Sequence, residues 1–240
     1  MINLGCSARV AADWNNVDFS WLLTMGRHLT LSKWLNRSGL LSDERYRRIL
    51  ALDGALVLWD LRRGIPFDDD TFDVAYHSHV LEHIDRDGAP TFITECRRVL
   101  KVGGVMRVVV PDLEALARRY VHALDAIDVP GMRTVRDETV DGMIEQMIVR
   151  TPTYRRAQPR VVRMIESVLI GNTDRAGILH RWMYDRESLR ALLQEYGFGE
   201  ITVRSFDGSQ VEGWNAFLLD RNADGTPYKA DSLYIEAQKL

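Results

Sequence analysis

Short apolar runs alternate along the chain with longer segments in which apolar residues recur at helical spacing. Short runs that end in glycine or an acid are typical of strands buried in a parallel sheet. The predicted strands are residues 2–4, 16–18, 55–60, 72–77, 105–110, 200–206 and 232–237. The predicted helices are residues 21–52, 88–101, 113–127 and 185–196. This order predicts an α/β fold with a mostly parallel seven-stranded sheet, helices on both faces and an antiparallel final strand.

Residues 128–180 interrupt this alternation, because they are rich in proline and glycine and contain only helical pieces, at 141–148 and 160–170. We therefore predict one domain over residues 1–240, with a helical insert at 128–180 that serves as a substrate lid between the fifth and sixth strands. The insert contains many arginines. They either form a solvated helix face or bind an anionic substrate.

Composition and charge argue against several classes of protein. The net charge of −3 offers no general attraction for nucleic acid. No apolar run reaches the ~20 residues that a membrane span needs, and the first residues lack the basic and apolar regions of a signal peptide. The two cysteines, Cys6 and Cys96, do not make a disulfide framework. We expect a cytoplasmic protein with no nucleic-acid partner and no membrane span.

The residues at the predicted strand ends carry candidate chemistry, because ligands of open α/β sheets bind beyond the carboxyl ends of the strands. The first strand ends in Gly5, Cys6 and Ser7, small residues that let backbone approach a ligand and offer N–H donors. The second ends in Asp18, where a ribose diol could donate to the carboxylate. The third ends in Asp60, which could accept from an adenine amino group. The alternative interpretation is a simple turn at the glycine and helix N-caps at the acids.

Histidines follow the fourth predicted strand. His79 and His83 are four residues apart, so they would share one face of a helix, and His180 ends the insert. Histidine suits a general base at neutral pH. The pair also resembles a metal-binding pair, but Glu82 precedes His83 and the H-E-x-x-H pattern is absent, so we predict no metal. A packing or capping role is the alternative for His83 and His180.

Four stretches together resemble a known family: NLGCS with NVD near the start, IPFDDDTFD at 65–73, HVLEHI at 79–84 and ECRRVLKVGG at 95–104. They are similar to the class I S-adenosylmethionine-dependent methyltransferases of methyltransferase type 11, the group that includes ubiquinone- and menaquinone-methylating enzymes. The resemblance covers residues 2–112. The tail, with HRWMYD at 180–185, is similar to a subgroup associated with surface-glycan pathways.

The resemblance implies a Rossmann-like class I methyltransferase fold and a site for S-adenosylmethionine, which leaves as S-adenosylhomocysteine. Gly5 and its neighbours would face the methionine part, Asp18 the ribose, Asp60 and Leu61 the adenine, and residues 77–79 the methyl group. The predicted cofactor-binding residues are Leu4, Gly5, Cys6, Ser7, Asp18, Asp60, Leu61, His77 and Ser78. The predicted catalytic residues are His79, His83 and His180.

The expected function is methylation of an O or N atom of a small-molecule, glycan or nucleotide-sugar acceptor. The alternatives are a non-catalytic binding or scaffolding protein of the same fold, and a different enzyme on the same scaffold, such as an aminopropyl or carboxymethyl transferase. Two departures from the family pattern bear on cofactor affinity: Ser7 stands where a glycine is usual, and the first crossover is unusually short, with no helix before the first strand. A homodimer is left open, because the aromatic-rich segment 14–35 suits an interface as well as a lid.

Overall fold

The computed structural model describes residues 1–7, 9–19, 28–39, 41–43, 46–47, 50, 56–147 and 180–240. The strands of this part of the chain are β1 (Ile2–Leu4), β2 (Asn15–Asp18), β3 (Leu56–Leu58), β4 (Phe72–Ser78), β5 (Leu100–Pro111), β6 (Phe198–Arg204) and β7 (Ser232–Lys239). Its helices are α1 (Leu29–Arg37), α2 (Ala89–Val99), α3 (Leu113–Asp125), α4 (Met132–Met147) and α5 (Arg186–Glu195). Short 3₁₀ turns lie at Leu61–Arg63, Leu81–His83 and Trp214–Phe217.

The strands form one seven-stranded sheet in the order β3-β2-β1-β4-β5-β7-β6. Neighbours from β3 to β5 are parallel, and β7 runs antiparallel to both β5 and β6. The strand order reverses between β1 and β4, which is where a ligand site is expected in such a sheet. The predicted Rossmann-like fold, mostly parallel with an antiparallel final strand, is confirmed.

Alternate residues of β4 face opposite sides of the sheet, as strand geometry requires. Ala75 belongs to the larger apolar cluster, which packs under α2 and α5, and Tyr76 belongs to a smaller cluster on the other face. Helix α2 follows this division, because Phe92, Cys96 and Val99 recur at helical spacing and are all buried. The sheet is therefore covered on both faces, which fits its apolar strands.

The smaller cluster is covered by a connection rather than by a helix. Between β1 and β2 the described residues form only turns, so the predicted short crossover is confirmed, and its Ala11 and Trp14 belong to the smaller cluster. The segment 205–231, between β6 and β7, packs over them. Its Trp214 packs against Trp14 and Tyr76, with ring centroids 6.1 and 5.3 Å apart. Sequence reasoning assigned no such role to this connection.

Several element ends differ from the prediction. The helix predicted over 88–101 ends at Val99, because Leu100 is already extended and pairs with Phe72 of β4. Strand β5 therefore begins five residues before the predicted start at residue 105. In the insert, α4 begins at Met132, well before the predicted piece 141–148.

The predicted helix 160–170 and most of the predicted lid lie outside the described residues. The prediction of a single helix over 21–52 is wrong, because α1 ends at Arg37, and Ser38 and Gly39 form a turn. None of the described helices combines the length and the apolar character that a membrane span needs.

Candidate active site

A cleft of about 350 Å³ opens at the carboxyl ends of β1 to β4. The predicted site residues that line it are Gly5, Ser7, Asp18, Asp60, Leu61, His79 and His83. A second cavity of about 200 Å³ adjoins it. The predicted residues that line this cavity are Gly5, Cys6, Ser7, Ser78 and His79. The residues predicted at the strand ends therefore line two adjoining cavities.

Gly5 brings the end of β1 close to the segment after β4. Its φ of +69° lies in the left-handed region, and a Cβ built on it would lie 2.3 Å from Cγ2 of Val80. The residue therefore both turns the chain and permits a close approach. Its N–H and that of Cys6 donate to the carbonyl of Val17, at 2.8 and 3.2 Å. These two donors already have an acceptor, contrary to the expectation that they await a ligand.

Asp18, at the end of β2, lies in the wall of the cleft. Its Oδ2 accepts from the N–H of Ser7 at 2.5 Å, so the third N–H after β1 is also engaged. Burial raises the pKa of Asp18, and its hydrogen bonds from the backbone of Ser7 and Phe19 oppose that shift only in part. A partly desolvated carboxylate of this kind gains from any further hydrogen-bond donor in the cleft.

Asp60 has a different environment. Its carboxylate caps the 3₁₀ turn Leu61–Arg63 by accepting from the N–H of Arg62 at 3.1 Å. The guanidinium of Arg62 also donates to both carboxylate oxygens, each at 2.8 Å. These bonds from Arg62 hold the pKa of Asp60 below its usual value. The capping alternative is therefore what the structure shows, and an adenine contact would compete with Arg62.

Two predicted cofactor residues point away from both cavities. The side chain of Leu4 is fully buried in the larger apolar cluster. His77 is also fully buried, and its ring packs edge-on against Phe92 of α2 at 5.1 Å. Neither ring nitrogen has a hydrogen-bond partner in the described part of the chain. Burial lowers the pKa of His77 to about 4, although Glu82 opposes this, so the ring is neutral. The correction has a simple cause: odd and even positions of β4 face opposite sides of the sheet.

His79 stands at the junction of the two cavities and has a φ of +54°. Its Nδ1 lies 2.9 Å from Oε1 of Glu82, and its Nε2 lies 3.1 Å from Oγ of Ser232 at the start of β7. Both ring nitrogens thus have polar neighbours that fix the ring. His79 is the predicted histidine placed best to face a ligand in either cavity.

Glu82, His83 and His180 come together although His180 lies far along the chain. The rings of His83 and His180 meet edge-on with centroids 4.7 Å apart. The N–H groups of Arg181 and Trp182 donate to the carbonyl of Glu82, at 2.6 and 3.3 Å, and so attach the exit of the insert to the 3₁₀ turn Leu81–His83. The metal-binding atoms of the three side chains all lie within 4.8 Å of one another.

Sequence reasoning did not count Glu82 as a functional residue. Its side chain is fully buried, and a buried carboxylate needs a partner. Burial alone would raise its pKa, but the contacts with His79 and His83 outweigh burial and hold the pKa below its usual value. The signal that could have found it is its place in the sequence, between two histidines directly after an apolar strand.

Comparison with known proteins agrees with this geometry. Residues 43–108 match the family model of the methyltransferase domain, methyltransferase type 11. No curated protein matches the chain.

Several solved structures are similar to the chain. A Thermotoga maritima S-adenosylmethionine-dependent methyltransferase, described as a possible histamine N-methyltransferase, is 13% identical, with a TM-score of 0.47 over 100% of this chain and 81% of that chain. An S-adenosylmethionine-dependent methyltransferase of Archaeoglobus fulgidus is 12% identical, with a TM-score of 0.42 over 99% and 85%. Human N-acetylserotonin methyltransferase, solved with S-adenosylmethionine, is 11% identical, with a TM-score of 0.44 over 100% and 47%.

With TM-scores below 0.5 these likenesses are weak, and the firmer observations are the strand order of the sheet and the matched segment. The resemblance to the methyltransferases that was stated from the sequence is confirmed: the chain has the fold of the class I S-adenosylmethionine-dependent methyltransferases, and its residues 43–108 are similar to the methyltransferase domain of type 11.

Proposed function

We propose that the cleft binds S-adenosylmethionine and that the protein transfers the methyl group to an oxygen or nitrogen of a small-molecule or glycan acceptor. The observation that carries the proposal is the carboxylate of Asp18, half-buried at the end of β2 and in the wall of the cleft. A ribose diol can donate two hydrogen bonds to one carboxylate. The volume of about 350 Å³ lies within the range of small-molecule sites.

The remaining walls of the cleft suit the other parts of the cofactor. Trp59 and Leu61 offer an apolar surface for adenine, and the indole N–H of Trp59 is anchored on the carbonyl of Gly64 at 3.0 Å. Gly5 lets Val80 pack directly against the end of β1 at the switch point of the sheet. The engaged N–H groups at 5–7 mean that the methionine end needs other donors or a shift of this loop.

The bound cofactor supplies an electrophilic methyl group on a sulfonium, so the protein has to hold the acceptor in line and remove its proton. Positioning of this kind is worth up to roughly 7–11 kcal/mol. His79 is the candidate base, because it lies between the two cavities and its ring is fixed by Glu82 and Ser232. His83 and His180 remain candidates at the edge of the cleft.

The second cavity is a candidate place for the acceptor. It is lined by Arg9 and Lys229 as well as by His79. The guanidinium of Arg9 stacks over the ring of Tyr228 at 3.8 Å and donates to backbone carbonyls, which fixes its position. Burial lowers the pKa of Lys229. Two basic groups beside the junction favour an anionic acceptor, and nucleotide sugars are the class to test first.

The insert 128–180 remains a proposed lid over the acceptor. What supports this is its attachment at the exit, where Arg181 and Trp182 bond to Glu82 beside His83. Its arginines would then add to the positive charge that faces an anionic acceptor.

The first test is calorimetric titration of the full chain with S-adenosylmethionine and with S-adenosylhomocysteine. We expect micromolar binding of both. Incubation with labelled cofactor and a panel of anionic and neutral sugars should then give a product heavier by one methyl group. Lys229→Met should reduce transfer to anionic acceptors more than to neutral ones, which separates the acceptor class from methyl transfer itself.

The engaged N–H groups at 5–7 favour one competing function, a binding module that has kept the fold. Absence of binding at millimolar cofactor would support that function against ours. A product heavier by a group other than methyl would instead assign a different transfer reaction to the same cleft.

A further inference from the structure

Glu82 is an unusual buried carboxylate. Its side chain is fully buried, and neither oxygen makes a hydrogen bond of normal geometry among the described residues, although Oε1 lies 2.9 Å from Nδ1 of His79. Leaving a buried charged group without hydrogen bonds costs several kcal/mol unless something compensates. One histidine contact at one oxygen compensates only in part, so the second oxygen is placed for a partner that the described residues do not supply.

The neighbours of Glu82 are metal-binding groups held on two separate segments. His83 follows it in the 3₁₀ turn Leu81–His83, and His180 approaches from the end of the insert. The backbone bonds from Arg181 and Trp182 to the carbonyl of Glu82 fix the two segments together. The arrangement is therefore set by the fold rather than by the side chains alone.

We propose that Glu82, His83 and His180 form a binding site for a divalent first-row metal ion such as zinc. Two imidazoles and one carboxylate are a donor set that zinc and its neighbours prefer over magnesium or calcium. Their binding atoms lie within 4.8 Å of one another. Ligands about 2.0–2.2 Å from a tetrahedral zinc lie about 3.4 Å apart, so a modest closure of the side chains forms the site.

Three protein ligands leave a coordination position open, which is the pattern of catalytic rather than structural metal sites. His83 also lines the cleft, so the open position lies at its edge. The contact of His79 with Glu82 then orients a ligand, as carboxylate–histidine pairs do around metals. This proposal reverses the expectation of no metal, which rested on local spacing and could not include His180.

The role of the ion rests on the proposed function. An acceptor hydroxyl that binds at the open position has a lowered pKa. As its oxygen forms the new bond to the methyl carbon, the carbon–sulfur bond breaks and its electron pair stays on sulfur, while the hydroxyl proton leaves to His79 or to water. In this arrangement His83 and His180 act as ligands, and His79 is the remaining histidine for proton transfer.

The test measures metal binding by itself. The full chain is freed of metal with a chelator and titrated with Zn²⁺ in a calorimeter and with Co²⁺ in a spectrophotometer. We expect one equivalent of either ion and visible absorption bands from Co²⁺. Glu82→Gln and His180→Ala should each weaken binding at least ~10-fold, as loss of even an outer partner does. His122→Ala removes an exposed histidine of α3 and should change nothing.

Two outcomes would overturn the site: no stoichiometric binding by the wild type, or equal binding by wild type and His180→Ala. His180 is only half buried, so its variant should fold, and thermal unfolding without metal checks this. Cofactor titration separates the two proposals. Metal binding without cofactor binding would remove the proposed function and keep the site, whereas cofactor binding without metal binding would do the reverse.

Discussion

Two fully buried charged side chains in this protein, Arg107 of β5 and Glu82 after β4, have opposite surroundings. All five N–H donors of Arg107 have acceptors: Asp220, Glu236 and the carbonyls of residues 205, 206 and 208. Tyr76 donates to the other oxygen of Asp220 at 2.6 Å. Glu82 has no hydrogen bond of normal geometry among the described residues and lies among histidines.

The difference indicates two roles: the Arg107 network stabilises the fold, and the Glu82 group is available to bind a ligand. The Arg107 network lies where segment 205–231 covers the sheet in place of a helix, so its bonds to the carbonyls of residues 205, 206 and 208 fix this irregular connection to β5. The Glu82 group lies at the edge of the cleft, where unused bonding capacity is available to a ligand. Buried polar groups that are fully satisfied specify a structure, and those that are not point to function.

The largest expected effect is the loss of protein stability when Arg107 is replaced. Arg107→Met leaves Asp220 and Glu236 as buried carboxylates without their main partner, so we expect the free energy of unfolding to fall by ~3–5 kcal/mol. Urea denaturation measures it. Arg118→Met is the control, because Arg118 is exposed and pairs with Glu114 on one helix, an interaction worth about 0.3–0.5 kcal/mol.

An Arg107→Met variant as stable as the wild type would break the comparison, because the network would then be as dispensable as a surface pair. The cation also packs over the ring of Trp214 at 4.6 Å, so the variant should loosen the connection 205–231 first. Hydrogen exchange in that connection gives a second, local readout.

The next effect is on binding rather than on stability. Asp18→Ala should weaken the binding of S-adenosylmethionine by ~1.5–3 kcal/mol, because it removes a charged acceptor from a desolvated cleft. Asp60→Ala should cost less than ~1 kcal/mol of binding, since Arg62 already occupies that carboxylate. Calorimetric titration of both variants measures the difference. Equal losses would show that the cofactor displaces Arg62 from the carboxylate of Asp60. Wild-type affinity in both variants would mean that the site is elsewhere.

The sheet and the location of the cleft could be predicted from sequence because both follow from local patterns. Apolar runs gave the strands, and the residues after them gave Gly5, Asp18, Asp60 and His79 at the cleft. The orientation of His77 into the core could also have been derived, since β4 alternates between faces and Ala75 shares the side of His77.

Contacts between distant parts of the chain could not be predicted in this way. The meeting of His180 with Glu82 depends on how the insert returns to the sheet, and the cover formed by Trp214 depends on a connection with no regular pattern. The engagement of the N–H groups at 5–7 depends on the exact approach of β2. Such contacts depend on the three-dimensional fold, and no periodic pattern in the sequence encodes them.

A smaller effect tests the Glu82 side of the comparison. Glu82→Gln, measured without metal, should lower the free energy of unfolding by less than ~1 kcal/mol, because the attraction of His79 and His83 is largely offset by the burial of the charge. Urea denaturation beside Arg107→Met compares the two directly. A loss as large as that of Arg107→Met would make Glu82 a structural residue and end the distinction between the two groups.

The smallest effect concerns how often the segment beside the cleft and the core of the sheet open to solvent. Cys6 lies in the turn-rich segment beside the cleft, and Cys96 lies in α2 against the sheet; both are buried, and burial raises the pKa of both thiols. Since a thiolate reacts only when exposed, labelling reports opening. Each thiol is labelled alone, Cys6 in the variant Cys96→Ser and Cys96 in the variant Cys6→Ser. Pulsed maleimide should label Cys6 roughly tenfold faster than Cys96, because local opening exposes Cys6 whereas Cys96 needs global unfolding. Saturating S-adenosylmethionine should slow labelling of both cysteines, because a ligand that binds only the folded state raises the free energy of global unfolding as well as that of opening at the cleft. Equal rates without ligand would mean that the cleft opens only with the core, so that the two regions differ in bonding but not in stability.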